Sequence, residues 1–227
     1  MLARLLTLFL TLLTLGESTL NGYVSRMNLG GCLFLVNREY TIGSDYEPED
    51  LIMPNVRRSS SAVKMRSEAA QALEEMFAAA KEEGGFSLIA ISGYRSYGTQ
   101  SAIFERKVRS VGRKKALLYV APPGASEHQL GLAMDLGCDK NTGLTGSFGD
   151  TPEGKWVAEN CWRFGFIIRY KEEWTDITGY AYEPWHIRYV GAEHARAIYE
   201  ADIPFEYYVE QLRQAQYALM TQEDEAI

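Results

Sequence analysis

Two blocks far apart in the chain carry two of its three histidines. One is Ser126-Glu127-His128-Gln129-Leu130-Gly131-Leu132-Ala133-Met134-Asp135, the other Glu183-Pro184-Trp185-His186. Read together they demand a fold that closes one block onto the other. His128, Asp135 and His186 make up the ligand set of a catalytic zinc, three N or O ligands with a fourth position left for water. Structural zinc sites are closed and usually rich in cysteine. Glu183 then stands as the base acting on the metal-activated water, and the chain reads as a metallohydrolase.

The local spacing supports this. His128 and Asp135 are too far apart in sequence to sit on neighbouring turns of one helix. They read as a loop feeding a strand, with Gly131 allowing a tight turn. In a strand Ala133 and Asp135 face the same way, so Ala133 leaves room beside the metal. Pro184 excludes a regular helix through the second block and makes it extended or turn-like. A carboxylate so close to a ligand histidine reaches the open position without itself binding the metal. Each residue alone has an ordinary explanation: a hydrogen-bonded core histidine beside Trp185, a helix cap or surface ion pair for Asp135. The combination favours the metal. The third histidine, His194, falls in an expected helix as a surface or capping residue.

Arg95 is the other candidate. It follows the apolar strand Phe86–Ser92, flanked by Gly93 and Ser96, where a side chain points into a cleft. Its planar fork suits a carboxylate or a developing oxyanion. An ion pair with a nearby acid is the alternative.

Around these blocks the pattern is mixed. An apolar run over residues 33–37 reads as a strand, followed by extended loop through Tyr46, Pro48 and Pro54. Helical spacing of Ala69, Ala70, Leu73, Met76, Phe77 and Ala80 predicts a helix over 61–83, stopped by Gly84-Gly85. Further helices are expected over 99–111, from Pro152 to Gly165, over 191–201 and over 204–216. Strands are expected over 166–170 and 185–190, with a surface loop over 141–150. Helices and strands without regular βαβ alternation give an α+β domain. No internal linker is visible, so residues 21–227 form one domain.

Composition narrows the class. The 227-residue chain is 46% hydrophobic with a net charge of -7 and has no basic stripe, which argues against a nucleic-acid partner. Arg113-Lys114-Lys115 reads as a solvated helix end. Residues 1–20 stand apart: Arg4 precedes the uncharged run Leu5–Leu15. That run is shorter than the roughly 20 residues of a membrane-spanning helix and apolar all round. It reads as a signal peptide or, uncleaved, a membrane anchor, with a short core helix as the alternative. The chain is thus expected to be exported, either membrane-anchored or secreted. Leu29-Gly30-Gly31-Cys32 lies too far beyond the run to be a lipoprotein processing site. Cys138 and Cys161 could pair in an oxidising compartment, though buried free thiols serve equally well.

Four blocks occur in an order that carries a resemblance: Leu35-Val36-Asn37-Arg38; Ser92-Gly93-Tyr94-Arg95-Ser96 with Gln100; Ser126 to Asp135; and Glu183 to Gly191. The chain resembles the VanY-type D-alanyl-D-alanine carboxypeptidases, relatives of the VanX dipeptidases. The resemblance implies a small α+β zinc peptidase fold of hedgehog type, an antiparallel sheet with flanking helices. It implies zinc on His128, Asp135 and His186, Glu183 as base, and Arg95 stabilising the tetrahedral intermediate. Ser126 and Gln100, with Trp185 beside the last ligand, fall on the substrate side. The substrate implied is a peptidoglycan stem pentapeptide losing its terminal D-Ala. L,D-cleavage of tetrapeptide stems, a dipeptidase or dual activity, and a non-catalytic wall-binding module are the rival readings.

Overall fold

The computed structural model describes residues 29–224, with side chains to residue 215. Its frame is a four-stranded antiparallel sheet in the order β3-β4-β6-β5, made of β3 (Leu88–Ser92), β4 (Ala133–Cys138), β5 (Phe166–Tyr170) and β6 (Glu183–Tyr189). A short hairpin-like pair, β1 (Leu51–Ile52) and β2 (Met65–Arg66), lies ahead of it. The helices are α1 (Ser67–Gly84), α2 (Tyr97–Val111), α3 (Arg113–Ala116), α4 (Pro152–Asn160), α5 (Thr175–Thr178), α6 (Ala192–Ala201) and α7 (Phe205–Asp224). This is the α+β architecture expected.

Every residue of β4 and β5 is buried, because both faces of the sheet are covered. The alternation that a strand imposes therefore shows in chemistry rather than exposure. Met134, Leu136 and Cys138 join Phe166, Ile168 and Ile187 in the main core, against the apolar face of α1 (Ala69, Ala70, Leu73, Met76 and Ala80). Asp135 points to the opposite face, as do His186 and Arg188 from β6. On that side a second apolar cluster forms from Leu33, Leu35, Ile167 and Val190 with Ile198 of α6 and Phe205, Val209 and Leu212 of α7. The buried polar block sits on that same face, beside this cluster.

Several expectations need correcting. Residues 33–37 form no strand. A 3-10 turn over Gly31–Leu33 is followed by irregular chain; the Cys32 carbonyl in the turn and the Phe34 carbonyl after it accept from Arg188 Nη2, each at 2.9 Å, in place of a neighbouring strand. The helix expected from residue 61 starts at Ser67, because Met65 and Arg66 pair with β1. The stretch through Tyr46 and Pro54, expected as loop, supplies β1. The loop over 141–150 is not wholly a surface loop: it ends in a 3-10 helix, Gly146–Asp150, that buries Phe148. The helix after Pro152 changes to 3-10 over Cys161–Phe164 before Gly165 ends it in the left-handed region. Helix α7 continues to Asp224, past the expected end.

One side-chain expectation also changes, and one left open is resolved. His194 is buried, not at the surface, and shares a 2.8 Å hydrogen bond with the Tyr208 hydroxyl of α7. Of the two readings open for Cys138 and Cys161, the structure has buried free thiols, and Cys32 is free as well. The apolar run at residues 1–20 lies outside the described residues. Among those described, no helix is long and apolar enough to cross a membrane.

Candidate active site

Strand register assembles the site. Asp135 on β4 lies directly across from His186 on β6, and across from Ser92 on β3 on its other side. Glu183 pairs with Tyr170 of β5 beyond a register shift, which turns its carboxylate into the same cleft. His128 comes from a 3-10 turn, Glu127–Leu130, that closes on Gly131 at φ 69° and so delivers the chain into β4. A side chain there would be strained by that φ and would meet Leu51 Cδ2 at 2.9 Å. Gly93 has a different reason. A Cβ on it would fall 2.1 Å from the Lys64 carbonyl oxygen, so only glycine lets the loop after β3 approach this closely.

The polar atoms of the triad are oriented for a cation. His128 Nδ1 donates to the Gly93 carbonyl at 2.7 Å, which leaves Nε2 as the bare acceptor. That Nε2 is buried, has no hydrogen-bond partner, and lies 3.3 Å from Asp135 Oδ2. Two lone-pair atoms facing each other this closely repel unless a positive charge lies between them. His186 Nε2 donates to Glu127 Oε2 at 3.2 Å, while its Nδ1 faces Asp135 Oδ1 at 3.0 Å. Ligand atoms of His128, Asp135 and His186 all lie within 4.8 Å of one another, and all three residues are buried. Two imidazoles and one carboxylate, each imidazole braced through its other nitrogen, are the donor set that zinc takes.

Burial and the neighbouring charges shift the groups of the metal-free site. Burial pushes the Glu183 carboxyl up to about 8; Asp135 and Glu127 add to this, while His186 and Arg95 oppose it. A carboxyl near neutrality is suited to taking and returning a proton. Burial works against a charged His186, but hydrogen bonds to Asp135 and Glu127 outweigh it and raise the ring to about 9 without the metal, a proton that zinc would displace on binding. Asp135 is itself held well below the carboxylate range despite burial, through both histidines. His128 is lowered by burial and by Arg95.

Arg95 reaches in from the loop between β3 and α2. Its Nη1 stands 3.7 Å from Asp135 Oδ2 and 3.4 Å from Ser92 Oγ, and its Nε is buried without a partner. The ion pair considered from sequence is therefore present, but long, and made with the metal ligand itself. Ser126, Gln100 and Trp185 all line the same cleft of about 240 Å³, with Tyr170 and Tyr180. Gln100 Nε2 donates to the Ala121 carbonyl at 2.7 Å, which leaves Oε1 buried and unpartnered. A larger surface groove of about 430 Å³ along α2, lined by Phe104, Val108, Arg109 and Pro122, holds none of the metal or base residues.

Glu127 is the functional residue that sequence reasoning missed. Its Oε1 accepts from Arg169 Nε at 2.8 Å and Arg188 Nη1 at 2.9 Å, and its Oε2 accepts from His186. Arg169 is also gripped by Glu206 of α7, through both terminal nitrogens. These guanidiniums hold Glu127 ionised although burial opposes its charge. The available signal was charge in the wrong place: an acid between two motif residues, and an arginine in each of two apolar strands.

A buried His-Asp-His set, a neighbouring carboxyl tuned near neutrality and an arginine at the same cleft define a mononuclear zinc metallopeptidase. The VanY family, described as D-alanyl-D-alanine carboxypeptidase, matches residues 62–192. The chain belongs to that family. It is 46% identical over 198 residues to the putative carboxypeptidase YodJ of Bacillus subtilis, covering 85% of this chain and 72% of the relative. Among solved structures, the LdcB LD-carboxypeptidase superposes with a TM-score of 0.74 at 48% identity, over 79% of this chain and 86% of its own. The vancomycin-resistance D,D-pentapeptidase VanY, in a glutamate-to-alanine variant with Zn(II), gives a TM-score of 0.67 at 36% identity, over 78% and 98%.

Proposed function

We propose that the chain is a zinc-dependent D-alanyl-D-alanine carboxypeptidase that removes the terminal D-Ala from peptidoglycan stem pentapeptides. The observation that carries this is the pairing of the His128-Asp135-His186 cluster with a buried Glu183 in one cleft. His128, Asp135 and His186 would hold the zinc, which would supply the Lewis acidity needed to activate water near neutral pH. Glu183 takes the proton from the attacking water and returns it to the nitrogen of the departing D-Ala. Arg95 holds the charge that grows on the scissile carbonyl oxygen, acting in a site from which bulk water is largely excluded. Glu127 fixes the tautomer and orientation of His186. Ser126, Gln100 and Trp185 line the walls against which the peptide is positioned.

One finding favours a second reading: the chain shares more identity with LdcB than with VanY. The same machinery would then cut tetrapeptide stems after an L-residue. Residues 1–20 would carry the enzyme across the membrane and either be removed or retain it there, which puts the active site where peptidoglycan lies. The test is release of D-Ala from pentapeptide by the zinc-loaded chain. The activity should vanish in Glu183→Ala with zinc still bound; a Glu183→Ala protein that still turns over substrate refutes the assigned base.

A further inference from the structure

The cleft extends well beyond the metal, and its far end is not neutral. One wall is a face of α2, which begins two residues after Arg95 and presents Gln100, Ile103 and Lys107 at helical spacing. With a rise of about 1.5 Å per residue, Lys107 stands about 10 Å along the wall from Gln100, away from the Arg95 end. Tyr119, Val120 and Ala121 line the cleft beside α2 and are joined to it by the hydrogen bond from Gln100 Nε2 to the Ala121 carbonyl at 2.7 Å. Lys107 Nζ lies over the Tyr119 ring, 4.9 Å from its centroid.

The charges of the cleft separate into two groups. Glu127, Asp135 and Arg95 gather at the metal end in contact with one another or with the histidines, and Glu183 lies close enough to interact with their charges. Lys107 is apart from them, and among the described residues no carboxylate pairs with it. An ammonium held on an aromatic face at the end of a groove, its three donors unspent on acids, is placed to receive an anion.

The reaction says where that anion belongs. A carboxypeptidase has one residue beyond the cleaved bond, and an extended residue spans only about 3.4 Å. A wall reaching about 10 Å from Gln100 therefore holds the other side of the substrate, the stem upstream of the bond. Lys107 faces the stem upstream of the cut. We infer that Lys107, backed by Tyr119, is a specificity residue that binds a free carboxylate on an upstream stem residue. Two sources have this chemistry: the α-carboxylate of a γ-linked D-glutamate, and a third-residue side chain that ends in a carboxylate. This inference rests on the proposed carboxypeptidase reading.

The test is a kinetic comparison of the zinc-loaded wild type with Lys107→Gln and Lys107→Arg. Four stems are used: the γ-linked glutamate free or amidated, each with a third residue whose side chain carries an amine alone or an amine and a carboxylate. Lys107→Gln should raise KM about 5- to 20-fold on stems bearing the recognised carboxylate and leave kcat unchanged, the size of a partly screened charge-assisted contact. The amidated or carboxylate-free counterpart should show no such loss. The wild-type preference should shrink as salt is raised, and Lys107→Arg should restore most of it. Whichever carboxylate carries the effect identifies the source. An equal KM change on all four stems, or none, overturns the inference while leaving the proposed function standing. A wild type that cleaves none of the stems overturns both.

Discussion

Replacing Glu127 by Gln tests how the metal site is supported from below. The carboxylate is fully buried and serves two guanidiniums, Arg169 and Arg188, and the Nε2–H of His186. Glutamine keeps the shape and one acceptor oxygen but removes the charge. Arg169 would retain Glu206, and Arg188 would retain the carbonyls of Cys32, Phe34 and Tyr189. Breaking a buried ionic network by removing one partner costs about 3–5 kcal/mol, and these remaining contacts put Glu127→Gln at the low end, about 3 kcal/mol. For a chain of this length that lowers Tm by about 6–12 °C. Separately, losing the acceptor on a ligand histidine should weaken zinc binding about 10- to 100-fold. The assays are thermal melting of the metal-free protein and zinc titration against a competing chelator. Glu206→Gln is the control: it removes the other partner of Arg169, so it should lower Tm but leave zinc affinity alone. Zinc affinity within about 3-fold of wild type in Glu127→Gln would refute the claim that this carboxylate sets the ligand geometry.

Other consequences can be measured directly. Arg95→Met should lower kcat about 10²- to 10³-fold, the loss typical of one oxyanion donor, with zinc content unchanged by metal analysis. The buried His194 is held at about 4 by burial, against 6.5 for an ordinary histidine. Its folded-state pKa is depressed, so stability is fully present above pH 6.5 and falls as pH drops from 6.5 toward 4, by about 3 kcal/mol in all. His194→Gln should flatten that part of the stability-versus-pH curve measured by denaturant melts; an unchanged slope would remove His194 as its source. Gly93→Ala should cost activity and stability together, because the new methyl meets the Lys64 carbonyl in the loop that positions Arg95 and braces His128.

The candidate site was largely legible in the sequence because its chemistry is carried by short blocks whose internal spacing is strand-like. Ala133 and Asp135 alternate correctly, Gly131 makes the turn, and the triad closes once β4 and β6 pair in register. What could not be read was set by contacts remote in sequence. Residues 33–37 have the composition of a strand, yet a guanidinium from β6 takes the carbonyls a neighbouring strand would need. Glu127 looked like a spacer because its partners lie on β5 and β6 and meet it only in the folded sheet. His194 looked like a surface residue until α7 laid Tyr208 against it. In each case a buried polar partner, not local propensity, decided the outcome.

The most direct test of the account is mass-spectrometric product analysis of the zinc-loaded enzyme. It would be incubated with pentapeptide stem, tetrapeptide stem and free D-Ala-D-Ala, each with a chelated control. The account predicts loss of a single alanine from the pentapeptide, abolished by chelation. Cleavage of the tetrapeptide alone would contradict the D,D assignment in favour of L,D cleavage. No chelator-sensitive cleavage of any of the three would contradict the zinc-peptidase reading itself.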